Sequence, residues 1–432
     1  MVNRREIYGP LEERTVENYQ VQYLARRYDF GKESRIATML VKRINEEITK
    51  AEKAVGISRV KPFEMYLKKG KKQITLPLFK PSYLEPIYEG ETFNDCRRLI
   101  EKEIMEKTEE IDVAVSKEEM MRIINPWSYA KRSGPTTYTE GLKKQPNNFD
   151  ETDSKRWDEF IRKINPKQPK ERMETPDISA PERVNQRLIK MVSEETGLGK
   201  NVSKHLVEDV ILLRNLCCPR TESLKSGEMV LLVTHVRAYL SQEVATRFRR
   251  LAPVVITVLT QEEMKRIPTN VPEALNLLKK RIIRVCFEAY KQNGLLTMME
   301  LQWIFQISST RISELIRTFQ NEHNIVVPTP GTILDAGRSM THKDIIVRLH
   351  LEGYSVKEIA RITHHSPKAV DNYVGTFESV LILYLYNIPT HLMARSLEKG
   401  VTLIKEYLKL IEEYYRDKTE IRKYLIAQGV RF

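Results

Sequence analysis

The sequence has no long hydrophobic run, few cysteines and few apolar residues among its first 15, and each of these features narrows the class of protein to be expected. No stretch of about 18 or more uncharged apolar residues occurs, so a membrane-spanning helix is not expected. Residues 1–15 lack the apolar centre of a signal peptide, which favours the cytoplasm. The four cysteines include no Cys-x-x-Cys pair, so we expect free thiols and neither disulfides nor a zinc finger.

Motifs of enzymes that act on DNA or nucleotides are also missing. None of the eight histidines is followed three residues later by arginine, as tyrosine recombinases require. The predicted strands 229–233 and 254–259 carry no acidic residue, so a two-metal nuclease would lack its carboxylates. The GLGK run at 197–200 lacks the glycine spacing of a phosphate-binding loop. We therefore expect no enzymatic activity and no cofactor.

Four histidines are close enough in sequence to be candidate ligands of a metal ion. His342, His350, His364 and His365 lie close in sequence, but no carboxylate or cysteine is placed to complete a tetrahedral site. His364 and His365 fall in a predicted turn, where one can contact a phosphate while the other packs or bonds a carbonyl. We favour these roles over metal binding.

The order of the sequence patterns predicts a mainly α fold with a small β element, divided among several domains. Helical spacing dominates residues 1–124, with an extended segment at 73–78. Residues 125–181 are rich in proline and polar side chains, which predicts a linker. Residues 182–267 combine helices with the two strands, which we expect to pair across a basic loop. Residues 268–432 return to helical spacing.

Residues 353–377 carry the residue types of a helix-turn-helix in the order that the motif requires. Ile359 and Ala360 predict the buried side of a short first helix, and Pro367 fits the first turn of the second. In this motif the second helix lies in the DNA major groove, and outward residues near its N-terminus reach base edges. The DNA-contacting set predicted here is His364, Ser366, Lys368, Asp371, Asn372 and Thr376.

A similar layout occurs upstream, within a predicted unit at 268–338. Thr297 and Glu300 have the spacing of a capping box at the start of a first helix. Residues 325–331 indicate a strand and a turn, the place at which a winged helix-turn-helix has its wing. The DNA contacts predicted for the second helix are Ser308, Ser309, Thr310, Arg311, Ser313 and Arg317.

A third copy follows within residues 339–432. Residues 393–407 repeat the pattern of residues 359–373 at an offset of 34, with Gly400 expected in the turn. Its predicted DNA contacts are Thr402 and Lys405. All three copies have an alternative interpretation, because three short helices are a compact packing that many proteins use for protein contacts.

The net charge of +13 suits a protein that binds polyanions. The densest basic groups lie outside the predicted helix-turn-helix copies, at 68–72 and 247–250, where contact with phosphate and simple solvation are both possible. Residues 331–432 carry 15 basic and 12 acidic side chains. This small excess favours selective docking, or binding as a homodimer, over a nonspecific basic clamp.

The chain resembles a family of uncharacterised bacterial and archaeal proteins, classed as a domain of unknown function. The resemblance is carried by THKDIIVRLHLEGYSVKEIARITHHSPKAVDNYVGTF at 341–377, by the upstream helix pair with IVVPTPG, by the strand pair, and by PLEERTVENYQVQYL near the N-terminus. It covers most of the chain outside the linker 125–181, which departs from the family pattern. The resemblance implies a DNA-binding or regulator-like protein with a C-terminal helix-turn-helix.

Two functions are consistent with these patterns. The first is a sequence-specific regulator of transcription that binds double-stranded DNA through tandem helix-turn-helix units, in the cytoplasm on the nucleoid. The second is a non-catalytic accessory protein of a mobile element, which bridges DNA and a protein partner during transposition, replication or partition. A short operator-like binding site would favour the first function, and an element end or iterated origin would favour the second.

Overall fold

The computed structural model describes residues 4–28, 30, 35–69, 72–109, 182–238, 251–265, 268, 270–323, 325–334, 341–363 and 365–431. The described part is mainly helical with one small antiparallel sheet, which confirms the predicted fold class. The chain divides into two compact units, Met1–Ser313 and Glu314–Phe432. The predicted linker 125–181 and the basic group at 247–250 lie outside the described residues.

The first unit contains most of the helices and every strand of the described chain. Its helices are α1 (Arg4–Glu12), α2 (Val16–Arg27), α3 (Arg35–Ala54), α4 (Glu85–Tyr88), α5 (Phe93–Glu109), α6 (Glu182–Thr196), α7 (Lys200–Cys217), α8 (Gln261–Lys265), α9 (Val271–Lys291) and α10 (Met298–Phe305). The next helix, α11 (Ser309–His323), spans the division between the units. The strands are β1 (Glu64–Lys69), β2 (Lys72–Pro77), β3 (Glu228–His235), β4 (Leu251–Thr257) and β5 (Gly294–Leu295).

The sheet joins two regions that local sequence patterns treat as separate domains. Its strand order is β2-β1-β3-β4, all antiparallel, and β5 also pairs with β3. The predicted extended segment and strand pair are confirmed as β2, β3 and β4. Met65 of β1 lies opposite Met229 of β3, so the N-terminal region and the region after the linker share one sheet. Periodicity within a strand carries no information about such a distant partner.

The N-terminal region and the region after the linker also meet in a cluster of four helices. Helices α2 and α3 pack against α6 and α7 around a common apolar core. Its fully buried members include Leu24, Leu40, Ile44, Val192, Leu206 and Val210. Burial of apolar side chains from both sides of the linker therefore stabilises the first unit as a whole.

The turn before β3 depends on glycine at position 227. Gly227 has a φ of +91°, its N–H donates to the carbonyl of Tyr66 at 2.7 Å, and an added Cβ would overlap the carbonyl oxygen of Leu259. We expect Gly227→Ala to lower the free energy of unfolding by about 2–4 kcal/mol, because positive φ and a backbone clash add together. Urea denaturation measures the change.

Gly56 provides the matched control for this substitution. It also has a positive φ, +75°, but an added Cβ would meet nothing within 4 Å. Gly56→Ala is therefore expected to cost only about 1 kcal/mol, the cost of the backbone conformation alone. Equal losses in the two variants would show that the close approach at Gly227 contributes nothing.

Among the described residues, the second unit contains most of α11 and seven further helices. These are α12 (Pro330–Ile333), α13 (Thr341–Leu351), α14 (Val356–Thr363), α15 (Pro367–Leu385), α16 (Thr390–Ser396), α17 (Val401–Tyr414) and α18 (Lys418–Ala427). Helices α13, α14 and α15 each pack on the other two. Their shared core contains Ile345, Ile346, Ile359, Val370 and Val374.

Helix α15 belongs to two cores at once. Its N-terminal half packs with α13 and α14, while Phe377, Val380 and Leu381 farther along pack with α16, α17 and α18. The rings of Phe377 and Tyr407 meet edge to face, with centroids 5.9 Å apart. The long α15 therefore connects the two helical groups rigidly.

The predicted wing is wrong. Residues 325–329 form no strand, and α12 begins at Pro330 with Thr329 as its cap. Val326 and Val327 are fully buried, and the N–H of Val327 donates to the side chain of Gln320 at 2.9 Å. A wing must project into solvent to reach DNA. Here the run of branched residues fills the core of the second unit instead.

None of the helices in the described part of the chain is long and apolar enough to cross a membrane.

Candidate nucleic-acid interface

Three helix pairs have equivalent turns. We call them the first copy (α10–α11), the middle copy (α14–α15) and the third copy (α16–α17). In the first and third copies, the turn contains a residue with left-handed backbone, Gln306 (φ 54°) and Glu398 (φ 52°). The second helix then follows a cap two residues later, Ser308 and Gly400. The matching cap of the middle copy is Ser366, which accepts a hydrogen bond from the N–H of Ala369 at 3.1 Å.

Backbone hydrogen bonds confirm the 34-residue repeat between the middle and third copies. The N–H of His365 donates to the carbonyl of Ala360 at 3.1 Å, and the N–H of Lys399 donates to the carbonyl of Ala394 at 2.9 Å. Both members of the second bond lie 34 residues beyond those of the first. A bond of this span closes the end of a helix and directs the chain into the next one.

The starts of the first and middle copies are also equivalent. The capping box predicted at Thr297 and Glu300 is confirmed, since each side chain bonds the other residue's backbone N–H, at 3.2 and 2.6 Å. Ser355 and Glu358 make the same pair of bonds, at 3.4 and 2.9 Å. These local motifs set the length of each short first helix.

The middle copy exposes the face that the sequence predicts. Ile359 and Ala360 are buried, whereas Lys368, Asp371 and Asn372 are exposed near the N-terminus of α15. Thr376 is only half-exposed, and its hydroxyl donates to the carbonyl of Asn372 at 2.7 Å. Its hydroxyl proton is therefore engaged, and its methyl group and the acceptor lone pairs of its oxygen remain for a ligand.

Gly375 leaves an open depression on that face. It lies in the middle of α15, is exposed, and an added Cβ would meet nothing within 4 Å. Glycine inside a helix costs about 0.5–1 kcal/mol relative to alanine. The position equivalent to Gly375 carries Arg317 in the first copy and Lys409 in the third. Only α15 therefore allows its backbone to be approached closely at this point.

The turn predicted for the middle copy contains His364 and His365. His364 lies outside the described residues. Nδ1 of His365 lies 2.7 Å from the carbonyl oxygen of Thr363, and its ring packs on Tyr373. His365 therefore has the carbonyl-bonding role that the sequence suggests. In the described part of the chain, no group of His, Cys, Asp or Glu side chains is arranged to hold a metal ion.

The first copy departs from prediction at Arg311, which is buried. Arg311 precedes Leu315 by four residues, so it lies on the same side of α11 as that buried side chain. It is therefore withdrawn from the DNA-contacting set. The other predicted residues stay accessible: Ser308, Thr310, Ser313 and Arg317 are exposed, and Ser309 is half-exposed.

Helix α10 of the first copy forms part of the core of the first unit. Trp303 is fully buried, and its ring centroid lies 5.1 Å from that of Phe79 and 5.0 Å from that of Phe93. Glu300 is also buried and pairs with Arg14. A signal for this burial exists in the sequence MMELQWIF, which is apolar on nearly every side of the helix.

The third copy exposes Thr402 and Lys405 as predicted but carries a different group beside them. Glu406 occupies the position of Asn372 in the middle copy and is half-buried, and desolvation raises the pKa of its carboxyl. Farther along α17, Glu413 accepts a hydrogen bond at 2.9 Å from Arg348 of α13. Helix α17 is thus fixed against α13.

Comparison with known proteins identifies one relationship. Residues 194–410, about half of the chain, match the model of a family described as a protein of unknown function, DUF1670. The match confirms the predicted relationship to an uncharacterised family. No curated protein and no solved structure matches the chain.

Proposed function

The chain belongs to the DUF1670 family, and we propose that it is a sequence-specific DNA-binding protein that regulates transcription. The observation that carries this proposal is the middle copy. There, a capped helix follows a tight turn and presents Lys368, Asp371 and Asn372 on one exposed face. In a helix-turn-helix, this is the part of the second helix that enters the major groove.

The exposed groups match the hydrogen-bonding edges of bases. An asparagine amide can donate to and accept from adenine, an aspartate accepts from the amino group of cytosine, and a lysine donates to guanine or phosphate. We therefore assign base recognition to Asn372 and Asp371. Lys368 lies at the start of the helix, one residue beyond Pro367. From there its ammonium group reaches a phosphate more directly than a base.

A single helix of this length reads few base pairs. The first copy has its first helix in a protein core, and the third copy has Glu406 where Asn372 stands in the middle copy. We therefore propose that only the middle copy reads bases and that a homodimer doubles the site. DNA-binding dimers of this kind contact two half-sites about one helical turn apart. The proposed location is the cytoplasm, on the nucleoid.

The third copy favours a second candidate function, a non-catalytic accessory protein of a mobile element. Its acidic Glu406 and Glu413 disfavour phosphate, while Leu392 and Val401 are large apolar side chains that remain exposed. Exposed apolar groups of this kind suit a protein partner. Footprinting on DNA around the gene separates the two functions, since an operator-like site supports regulation and an element end or iterated origin supports the alternative.

Substitutions at two exposed positions of α15 test the base-reading role. Asn372→Ala is expected to reduce the preference for the selected site over a shuffled one by about 5–100-fold, because a base contact is worth about 1–3 kcal/mol. Lys368→Ala is expected to weaken binding to both sequences similarly, because phosphate contacts carry no sequence information. Competition binding on both duplexes measures the two effects.

Thr402→Ala in the third copy is the control for these variants. It removes an exposed polar side chain from the equivalent of position 368 and is expected to leave both affinities unchanged. If Asn372→Ala keeps the full preference of the parent protein, α15 does not read bases. Loss of preference in Thr402→Ala would instead assign recognition to the third copy.

A further inference from the structure

Three lysines from separate parts of the first unit converge at one end of the sheet, and we call this group the lysine corner. Its members are Lys68 at the end of β1, Lys225 in the turn before β3, and Lys265 at the end of α8. All three are exposed. In the part of the chain that the structure describes, none of them forms an ion pair.

Ser226 holds the three turns together. Its hydroxyl accepts a hydrogen bond from the N–H of Lys68 at 2.9 Å and lies 4.0 Å from the sulfur of Met264, the neighbour of Lys265. The next residue, Gly227, donates its N–H to Tyr66 of β1. The positions of the three turns are therefore set by the Ser226 side chain and by the backbone bond of Gly227, and they do not depend on the lysine side chains.

Two nearby carboxylates accept hydrogen bonds from groups other than the corner ammonium groups. Glu228 accepts a hydrogen bond from the backbone N–H of Lys225 at 2.8 Å, and Glu263 forms a two-bonded ion pair with Arg284 at 2.7 and 2.8 Å. Glu262 is exposed on α8 but makes no ion pair with Lys265 among the described residues. The carboxylate of Glu228 therefore lies within the corner, but among the described residues no carboxylate forms an ion pair with a corner lysine.

The chemistry of the corner favours an extended polyanion over a small phosphate. The backbone N–H groups of Lys68, Lys225 and Gly227 are already bonded within the protein, so they cannot form a phosphate-binding cradle. The lysine ammonium groups remain available. Ammonium groups act as point charges without the planar fork that recognises bases, so binding through them is independent of sequence.

Two other polyanionic partners fit less well. Single-stranded nucleic acid binds through stacking on exposed aromatic rings, and a membrane surface needs apolar side chains that insert. Among the described residues, the large exposed apolar side chains all lie elsewhere, at Ile36, Met39, Val55, Leu99, Val202, Leu216, Tyr354, Tyr386, Leu392, Val401 and Ile426. We propose that the lysine corner binds the phosphate backbone of double-stranded DNA without regard to sequence.

This inference rests on the proposed function in one respect, the choice of DNA as the polyanion. It adds to that function a second DNA-binding surface. The exposed face of α15 carries one lysine and one aspartate close together, so it supplies little net attraction for phosphate. A separate basic surface in the first unit adds affinity that the base-reading helix lacks. Affinity and sequence preference then belong to different parts of the chain.

Salt dependence of binding tests the lysine corner directly. The variant replaces Lys68, Lys225 and Lys265 by alanine together. Its binding to a duplex of about 30 base pairs of mixed sequence is compared with that of the parent protein, across roughly 50–300 mM KCl. Each lost phosphate contact lowers the slope of log affinity against log salt by about 0.9, so we expect a decrease of about 2–3. The preference for the selected site is expected to stay unchanged.

Two further triple variants make the outcome specific. Lys42, Lys53 and Lys200 are exposed, and their replacement by alanine removes the same charge from the helical cluster and is expected to leave the slope unchanged. Replacement of the corner lysines by arginine keeps the charge and is expected to keep the slope. An unchanged slope in the alanine variant of the corner, or equal decreases in both alanine triples, overturns the proposal.

The outcomes for the corner and for α15 are distinguishable. If Asn372→Ala keeps the parent's sequence preference while the corner variant loses slope, the corner stands and the role of α15 fails. If the corner variant keeps its slope while Asn372→Ala loses preference, α15 stands and the corner fails. A parent protein that does not bind duplex DNA at 50 mM KCl, roughly the low-salt limit of the series, overturns both.

Discussion

Arg14→Ala is expected to lower the free energy of unfolding of the first unit by about 3–5 kcal/mol. The guanidinium of Arg14 pairs with Glu300 of α10 and donates to the carbonyl of Leu232 at 3.3 Å. The side chains of Arg14 and Glu300 are only 3% and 0% exposed. Removal of the arginine therefore leaves a carboxylate in the core without its counter-charge, and that state is costly.

Urea denaturation, followed by tryptophan fluorescence, measures this loss. A double variant, Arg14→Met with Glu300→Gln, removes both charges and keeps a side chain that can complete the capping box with Thr297. It is expected to recover much of the stability, because replacing both partners avoids the buried unpaired charge.

Lys102→Ala serves as the surface control. Lys102 and Glu106 lie 3.9 Å apart with both side chains mostly exposed, so this pair is worth less than about 1 kcal/mol. A loss in Arg14→Ala no larger than that in Lys102→Ala would show that Arg14 does not hold α10 in the core.

Gly375→Leu is expected to weaken binding to the selected DNA site by at least about 30-fold, which corresponds to roughly 2 kcal/mol. The leucine side chain would project from the open depression on the exposed face of α15, where the backbone is expected to approach the groove. Stability of the second unit is expected to rise by about 0.5–1 kcal/mol, because leucine is a better helix former than glycine.

The opposite signs of these two effects make the experiment decisive. A variant that unfolds less readily yet binds DNA less tightly cannot owe its weak binding to damage in the fold. Gly375→Ala is the matched control, since it raises helix stability while adding only a methyl group, and most of the binding should remain. Parent-like affinity in Gly375→Leu would remove this face of α15 from the groove.

The features that sequence alone predicts are local. Caps, turns and short buried stripes at Thr297, Ser366 and Ile359 involve partners three to five residues away, so the residue types at those positions are sufficient to specify them. The strand at 73–78 and the pair at 229–233 and 254–259 were predictable for the same reason, since a buried strand has its own composition.

Other features depend on contacts that no local pattern contains. The wing was predicted from a run of branched residues, yet Val326 and Val327 are core residues of the second unit. Arg311 has the charge of a DNA-contacting residue, but its position on the buried side of α11 removes it from solvent. In both cases, residue type is compatible with two environments and long-range packing selects one of them.

The sequence by itself determined the mainly helical class, the three helix pairs, the 34-residue repeat of the middle and third copies, and the exposed set Lys368, Asp371 and Asn372. Short-range hydrogen bonds and helical spacing produce these features. Only the tertiary structure decided that strands from both sides of the linker share one sheet and that α10 is a core helix. It also brought Lys68, Lys225 and Lys265 together around Ser226. These outcomes depend on which distant apolar and hydrogen-bonding surfaces fit one another, and that fit exists only in the folded chain.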